Sequence, residues 1–384
     1  MDRGWTARCR QGVRGLLPFI ALCFAINLTD GAAARAAAPQ RDTPGQACSP
    51  TAGLHFVCGA EHPEDLAHIP ETPWLIASGF SDGAGLKLVD TRTDSLTRWY
   101  TATHEQIQPD SAAFPNCPNA PDPAVFNAHG ISLHPAGEGR HTLYVVNHGG
   151  RESIEVFSIN ARESLPSLTW KGCVLLPPGM VANSVAAFRD GTILATVLTR
   201  PGTTITDFVN GKKTGLVLSW RPGTKQFEPI RGTELPGNNG LETSADDKAF
   251  YVVAFGWHAV VAFSRAHPDR PAWQAVAPGF MPDNIHWSAG RLLAAGMQLD
   301  EPACGGTRKI VNGTADDMHC HRGYTVAQLD PATRTFRILA YSEPNADFNG
   351  VSAAVIIHDE LWLGSYQADR IAHRPLPGSA SATR

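Results

Sequence analysis

Short apolar strands separated by glycine and proline turns give this chain its main pattern, and residues 127–159 show it first. Ile131 and Leu133 alternate with polar residues, residues 143–146 form a continuous apolar run, and residues 154–157 supply a third apolar stretch. Alternation of apolar and polar residues is typical of strands, and the turns between these stretches predict an antiparallel meander.

Two histidines flank these predicted strands. His129 stands before the first strand and His148 follows the second. In an antiparallel meander these two positions can lie at the same rim of the sheet, so the pattern allows a functional pair. Two unrelated turn histidines would give the same pattern, and this segment alone favours that simpler interpretation.

The same three-strand unit recurs along the chain, and each copy opens on polar residues. The openings are Glu64-Asp65, His129-Gly130, Asn183-Ser184, Asn239-Gly240, Asp283-Asn284 and Asn349-Gly350. Six long-period units predict an all-β protein, a six-bladed β-propeller, because closing the ring leaves no long exposed edges. A two-sheet sandwich is the competing all-β fold, but it does not predict this repetition. No long segment has a sustained 3.6-residue apolar period, so we expect few helices.

The first 36 residues have the pattern of a secretory signal peptide. Four arginines precede a short apolar segment at residues 16–26, and an A-x-A cleavage sequence follows at residues 34–36. An uncleaved membrane anchor is the alternative, but the apolar segment is short and interrupted by Pro18. We therefore expect export to the periplasm or the exterior, with no stable membrane span after cleavage.

Export would leave a flexible lead-in over residues 37–55, part of which pairs with the last blade, and a single propeller domain over residues 56–384. Six cysteines lie after residue 36, an even number that suits disulfides in an oxidising compartment. The predicted pairs are Cys304–Cys320, Cys48–Cys58 and, by elimination, Cys117–Cys173.

Composition narrows the class of partner. The net charge is −4 and no basic block is present, which argues against nucleic acid. The 36 glycines and 29 prolines fit a fold with many turns.

The polar openings carry the candidate chemistry. In a propeller the first strand of each blade lines the central channel, so these residues converge at one end of the axis. Carboxylate and amide oxygens suit a hard cation, and calcium accepts six to eight of them in loose geometry. Each Asn-Gly pair alone is more simply a turn. Their recurrence at one phase of the repeat favours a calcium site.

From about residue 59 to its C-terminus the chain resembles the serum paraoxonase/arylesterase family, six-bladed calcium-dependent lactonases related more distantly to gluconolactonases. The matching motifs are EDLAHIP and ASG from Glu64, HGIS from His129, YVVNH ending at His148, NSV from Asn183, NNG ending at Gly240 and PDNI containing Asp283. HGIS followed by YVVNH and EVF is the most specific part.

The resemblance implies two calcium ions and a histidine dyad, which is His129 with His148. The residues implied for the catalytic ion are Glu64, Asn183, Asn239, Asp283 and Asn284. The second, structural ion would use Asp65, the backbone carbonyl of Ile131 and an aspartate, but Ser184 stands in place of that aspartate. Losing one carboxylate weakens a hard-cation site, so the occupancy of this second site stays open.

The implied activity is calcium-assisted hydrolysis of a small lactone or aryl ester. His129 would act as general base toward water and His148 would orient it, with Asp283 as an alternative base. A gluconolactonase-type sugar lactonase is the second candidate, and a non-catalytic binding propeller with a structural calcium is the third.

Two further motifs carry less weight. Residues 79–83 match G-x-S-x-G, but they lie between two predicted strands, where a nucleophile elbow requires a strand followed by a helix. The acidic and histidine-rich residues 316–321 predict a solvated loop.

Overall fold

The computed structural model describes residues 48–378, which form strands joined by short turns. The first two strands are β1 (Cys48–Thr51) and β2 (Leu54–Cys58). Blade 1 contains β3 (Leu66–His68), β4 (Trp74–Gly79), β5 (Gly85–Asp90) and β6 (Ser95–Arg98). Blade 2 contains β7 (Ala128–Pro135), β8 (Arg140–Asn147), β9 (Ser153–Asn160) and β10 (Ser167–Leu175).

Blades 3 and 4 have the same antiparallel order. Blade 3 contains β11 (Ala182–Ala187), β12 (Ile193–Val197), β13 (Leu216–Trp220) and β14 (Glu228–Ile230), with the short helix α1 (Ile205–Val209) between β12 and β13. Blade 4 contains β15 (Asn238–Thr243), β16 (Ala249–Ala254), β17 (Ala259–Ser264) and β18 (Pro271–Val276).

Blade 5 carries an insertion. It begins with β19 (Phe280–Ser288) and β20 (Arg291–Gln298), continues through the hairpins β21 (Asp300–Glu301)–β22 (Gly306–Thr307) and β23 (Ile310–Val311)–β24 (Thr314–Ala315), and ends with β25 (Tyr324–Asp330) and β26 (Thr335–Tyr341). Blade 6 contains β27 (Val351–Ile357), β28 (Glu360–Ser365) and β29 (Arg370–Pro375), joined by β2 and β1. The predicted six-bladed β-propeller is confirmed.

The hydrophobic core lies between the blades. Separate clusters of buried side chains join each blade to the next around the ring. Inner strands such as β5 are therefore buried on both faces, whereas the outermost strands β6 and β14 are largely exposed. This explains why the second strand of each unit has a continuous apolar sequence and not an alternating one.

The N-terminal strands close the ring. β2 pairs with β29, so blade 6 combines both ends of the described chain. Leu54 and Phe56 are buried in the cluster that joins blades 5 and 6. Residues 48–55 belong to the expected flexible lead-in, but they form β1 and the start of β2. The edge of β29 offers hydrogen bonds to β2, and the cluster buries the apolar side chains of this segment. The expected signal peptide lies outside the described residues.

Two predicted disulfides are confirmed, Cys117–Cys173 and Cys304–Cys320. Cys58 is also disulfide-bonded. The side chain of its expected partner, Cys48, lies outside what the structure describes. Disulfides are typical of an oxidising compartment. No helix within residues 48–378 is long and apolar enough to cross a lipid bilayer.

Candidate functional site

A β-bulge recurs in the first strands of the blades, at the polar openings. In β7 the register passes from Ala128–Asn147 to Ile131–Val145, which leaves two residues, His129 and Gly130, opposite one. The same irregularity places three other openings at bulges: Asn183-Ser184 in β11, Asn239-Gly240 in β15 and Asp283-Asn284 in β19. A bulge turns side chains away from the regular alternation, so it directs these polar groups toward the channel.

Two of the bulge glycines are required by close packing between neighbouring first strands. A Cβ atom on Gly130 would lie 2.7 Å from the carbonyl oxygen of Asn183, and one on Gly240 would lie 2.4 Å from that of Asp283. Asn239-Gly240 is therefore part of a strand and not a turn. The glycine allows first strands of adjacent blades to bring their polar residues together.

Buried oxygen atoms without hydrogen-bond partners occur at four of the polar openings. Among the described residues these include Glu64 Oε2, Asn183 Oδ1, Asn239 Oδ1 and Asn284 Oδ1. The Nδ2 group of Asn284 donates to Glu64 Oε1 over 2.7 Å, which turns its own carbonyl oxygen away from that contact. Buried acceptors left unpaired are costly, so this arrangement fits a bound cation that these oxygens would ligate.

Glu64 and Asp283 are the two carboxylates of the implied ligand set, and both are buried. Across residues 48–378, no group of three or more His, Cys, Asp or Glu side chains is arranged to hold a metal ion. A cation here would therefore depend on amide oxygens, which suit calcium better than zinc.

The protein environment does not by itself favour an ionised Glu64. Burial raises the pKa of Glu64 well above its usual value, and the neighbouring carboxylates of Asp65 and Asp283 raise it further. The hydrogen bond from Asn284 and the charge of His286 act in the opposite direction. Desolvation and like charge both disfavour the carboxylate, and a divalent cation would offset both.

The two predicted histidines lie in direct contact. His129 Nδ1 is 2.9 Å from His148 Nε2, and His148 Nδ1 is 2.9 Å from Glu152 Oε2. His129 lies within β7, at the bulge, and not before the strand as the sequence suggested. The bulge turns its ring inward, so that its Nε2 lies 3.6 Å from Glu64 Oε2.

This network sets the tautomers. A carboxylate only accepts hydrogen bonds, so His148 Nδ1 donates to Glu152, and His148 Nε2 accepts from His129 Nδ1. The remaining nitrogen of His129, Nε2, then carries a lone pair on the side of Glu64. Burial lowers the pKa of His129 well below its usual value, and the nearby His148 ring lowers it further. A neutral His129 can accept a proton.

An aromatic side chain covers the histidine pair. The ring of Phe80 stacks on His129 with centroids 4.0 Å apart. Phe80 also lines a cavity of about 460 Å³, together with His62, Met318, His321, Asn349, Tyr366 and Gln367. Phe80 is the lining residue that contacts His129. Asn349, the sixth polar opening, lines the same cavity.

Asp65 and Ile131, which the resemblance implies for a second calcium ion, have surroundings that differ from those of Glu64, because hydrogen-bond donors contact the Asp65 carboxylate. The carboxylate of Asp65 accepts from the backbone N–H groups of Leu66 and Ile131, at 2.9 and 2.8 Å. His286 Nε2 lies 3.0 Å from Asp65 Oδ1, and His286 Nδ1 lies 3.4 Å from Glu242 Oε2. Burial alone would lower the pKa of His286, but the two carboxylates raise it well above its usual value.

Two residues beside the histidine pair escaped the sequence interpretation, Glu152 and Phe80, and so did the contact of His286 with Asp65. Glu152 follows the Gly149-Gly150 turn, four residues after His148. This spacing predicts no contact between the two side chains unless the geometry of the turn is known. His286 is 221 residues from Asp65 along the chain. Phe80 lies inside the G-x-S-x-G match, which forms the connection between β4 and β5 and no nucleophile elbow.

The segment at residues 316–321 agrees in part with the expected solvated loop, since Met318, His319 and His321 are exposed, but it is more ordered at its start. Asp316 is buried and pairs with the buried guanidinium of Arg322 over 2.9 Å. The ion pair and the Cys304–Cys320 disulfide explain the difference, because together they fix both ends of the segment.

No protein-family model matches the sequence, and a search of curated proteins finds no match. Among solved structures, a luciferin-regenerating enzyme is similar with a TM-score of 0.49 and 13% identity, over 84% of this chain and 95% of that one. A calcium-binding protein, regucalcin, from Agrobacterium tumefaciens strain C58 is similar with a TM-score of 0.45 and 11% identity, over 84% of this chain and 93% of that one.

Proposed function

We propose that this protein is an exported, calcium-dependent hydrolase of small lactones or aryl esters. The observation that supports the proposal is the set of buried oxygen atoms without hydrogen-bond partners in blades 1, 3, 4 and 5, together with the approach of His129 Nε2 to Glu64 Oε2. The residues that would hold the cation are Glu64, Asn183, Asn239, Asp283 and Asn284. A bound calcium ion would supply a Lewis acid for the ester carbonyl oxygen and for the charge that develops on it.

His129 is the proposed general base. Its Nε2 atom takes a proton from water as the water oxygen attacks the carbonyl carbon, while its Nδ1–H group stays bonded to His148. Glu152 holds His148 in the tautomer that accepts from His129, and its negative charge stabilises the imidazolium form of the pair. Breaking the acyl C–O bond then releases the acid and the alcohol, and the proton returns from His129 to the leaving oxygen.

The test is a substrate panel on the purified exported chain. Aryl esters, alkyl lactones and sugar lactones are assayed in calcium, in EGTA, and in EGTA followed by excess calcium. We expect hydrolysis that EGTA abolishes and calcium restores. Preference for sugar lactones would favour the gluconolactonase-type activity. Calcium binding with no hydrolysis of any substrate would favour the binding propeller.

A variant links the activity to the amide oxygens. Asn239→Ala should weaken calcium binding and hydrolysis together, whereas Asn116→Ala, at an exposed position, should change neither. Activity that survives EGTA, or full activity of Asn239→Ala, would contradict the proposal.

A further inference from the structure

The oxygen atoms of Asp65 differ from those of the neighbouring Glu64 in one respect. Glu64 Oε2 has no hydrogen-bond partner, whereas both carboxylate oxygens of Asp65 are engaged. Oδ1 accepts from the N–H of Leu66, Oδ2 accepts from the N–H of Ile131, and His286 Nε2 lies near both. A second cation would have to displace these donors.

His286 connects two buried carboxylates. Its Nε2 contacts Asp65, and its Nδ1 lies 3.4 Å from Glu242 Oε2. Imidazole donates through N–H and a carboxylate accepts, so the Nε2–H group of His286 is a third donor to the Asp65 carboxylate, beside the backbone N–H groups of Leu66 and Ile131. Hydrogen-bond donors thus already surround the carboxylate oxygens that a second cation would need.

Ser184 offers a buried Oγ atom without a hydrogen-bond partner, but it offers no charge. It stands where the resemblance expects a third, carboxylate ligand, and a hydroxyl is a weaker ligand for a hard cation than a carboxylate. The donors present at Asp65 therefore do not fit a second calcium site.

We propose that the hydrogen bonds from His286, Leu66 and Ile131 to Asp65 take the place of a second, structural cation, so that the chain holds a single calcium ion at Glu64. His286 joins blade 5 to blade 1 through Asp65 and to blade 4 through Glu242. The same three blades are thereby tied together whether calcium is present or not. The count of one ion rests on the proposed function, whereas the structural role of His286 does not.

The first experiment counts calcium per chain, by elemental analysis of gel-filtered protein and by calorimetric titration after EGTA treatment. We expect one ion per chain, lost in Asn239→Ala. Two ions per chain, one of them lost in Asp65→Asn, would overturn the inference. No bound calcium in the folded protein would overturn the proposed function instead.

The second experiment measures thermal stability in EGTA, so it requires no metal. His286→Gln keeps one donor but removes the link between the carboxylates, and it should lower Tm by a similar amount in EGTA and in calcium. His104→Gln, at an exposed histidine, is the matched control. An unchanged Tm of His286→Gln in EGTA would overturn the structural role.

A third variant tests replacement directly. The double variant Ser184→Asp with His286→Ala restores a carboxylate and vacates the imidazole position. It should bind two calcium ions per chain, with Tm more dependent on calcium than in the wild type. A folded double variant that still binds a single ion would contradict replacement.

Discussion

Glu152 and His148 form a hydrogen-bonded pair across the Gly149-Gly150 turn, with Glu152 Oε2 at 2.9 Å from His148 Nδ1. Because His148 in turn contacts His129 at 2.9 Å, the carboxylate acts on the candidate base through one intervening ring. The arrangement makes Glu152 a positioning residue, since it fixes which nitrogen of His148 carries hydrogen.

Glu152→Gln should therefore lower kcat for ester hydrolysis about ten- to hundredfold and leave KM nearly unchanged. The amide cannot stabilise the imidazolium form, and it no longer selects one tautomer of His148. Steady-state kinetics check this, with calcium affinity measured in parallel and expected to be unchanged. Glu152→Asp should recover part of the rate, and Glu163→Gln, at an exposed glutamate, should have no effect. A rise in KM without a fall in kcat would contradict a positioning role.

Phe80 should control substrate binding, because it stacks on His129 and also lines the cavity of about 460 Å³. Phe80→Ala should raise KM for aryl esters about five- to tenfold, since an aromatic contact contributes about 1 kcal/mol beyond the area it buries. Alkyl lactones should be less affected. Phe336→Ala, in the outer strand β26, is the matched control. Equal losses for aryl and alkyl substrates would contradict an aromatic contact with the substrate.

The Cys304–Cys320 disulfide should influence the same cavity. Met318 and His321, on either side of Cys320, line it. Replacing both cysteines by serine should raise KM while calcium affinity stays unchanged, because the segment loses a covalent constraint. The corresponding Cys117 and Cys173 double variant should lower Tm and leave KM unchanged. If both double variants have the same KM, the disulfide does not shape the cavity.

The fold was predictable from sequence because its signal is local and repeated. Each blade shows apolar strands and turns, and the polar openings recur at one phase, so Asn183 and Asn239 could be grouped without any structure. The bulges could not be predicted, because a bulge is defined by the register between two strands and not by either strand alone. The partnership of His286 with Asp65 was equally hidden, since it joins blades 5 and 1.

His68 should make the stability of the fold depend on pH. Its Nε2 donates to the carbonyl oxygen of Thr72 over 2.7 Å. Burial lowers the pKa of His68 below its ordinary value, although this hydrogen bond opposes the shift. The unfolded chain therefore binds a proton at a higher pH than the folded chain does. The contribution of His68 is fully present above about pH 6.5, and it is lost as the pH falls from there through the folded pKa.

The measurement compares urea unfolding of the wild type and His68→Gln between pH 8 and pH 5. EGTA is present throughout, so that calcium affinity does not contribute. The free energy of unfolding of the wild type should exceed that of the variant most at pH 8, and the gap should narrow as the pH falls below about 6.5. His104→Gln, at an exposed histidine, should give no such change. If the difference in free energy of unfolding between the wild type and His68→Gln stays constant over this range, the His68 ring titrates alike in the folded and unfolded chains. The burial of His68 would then not make the stability of the fold depend on pH.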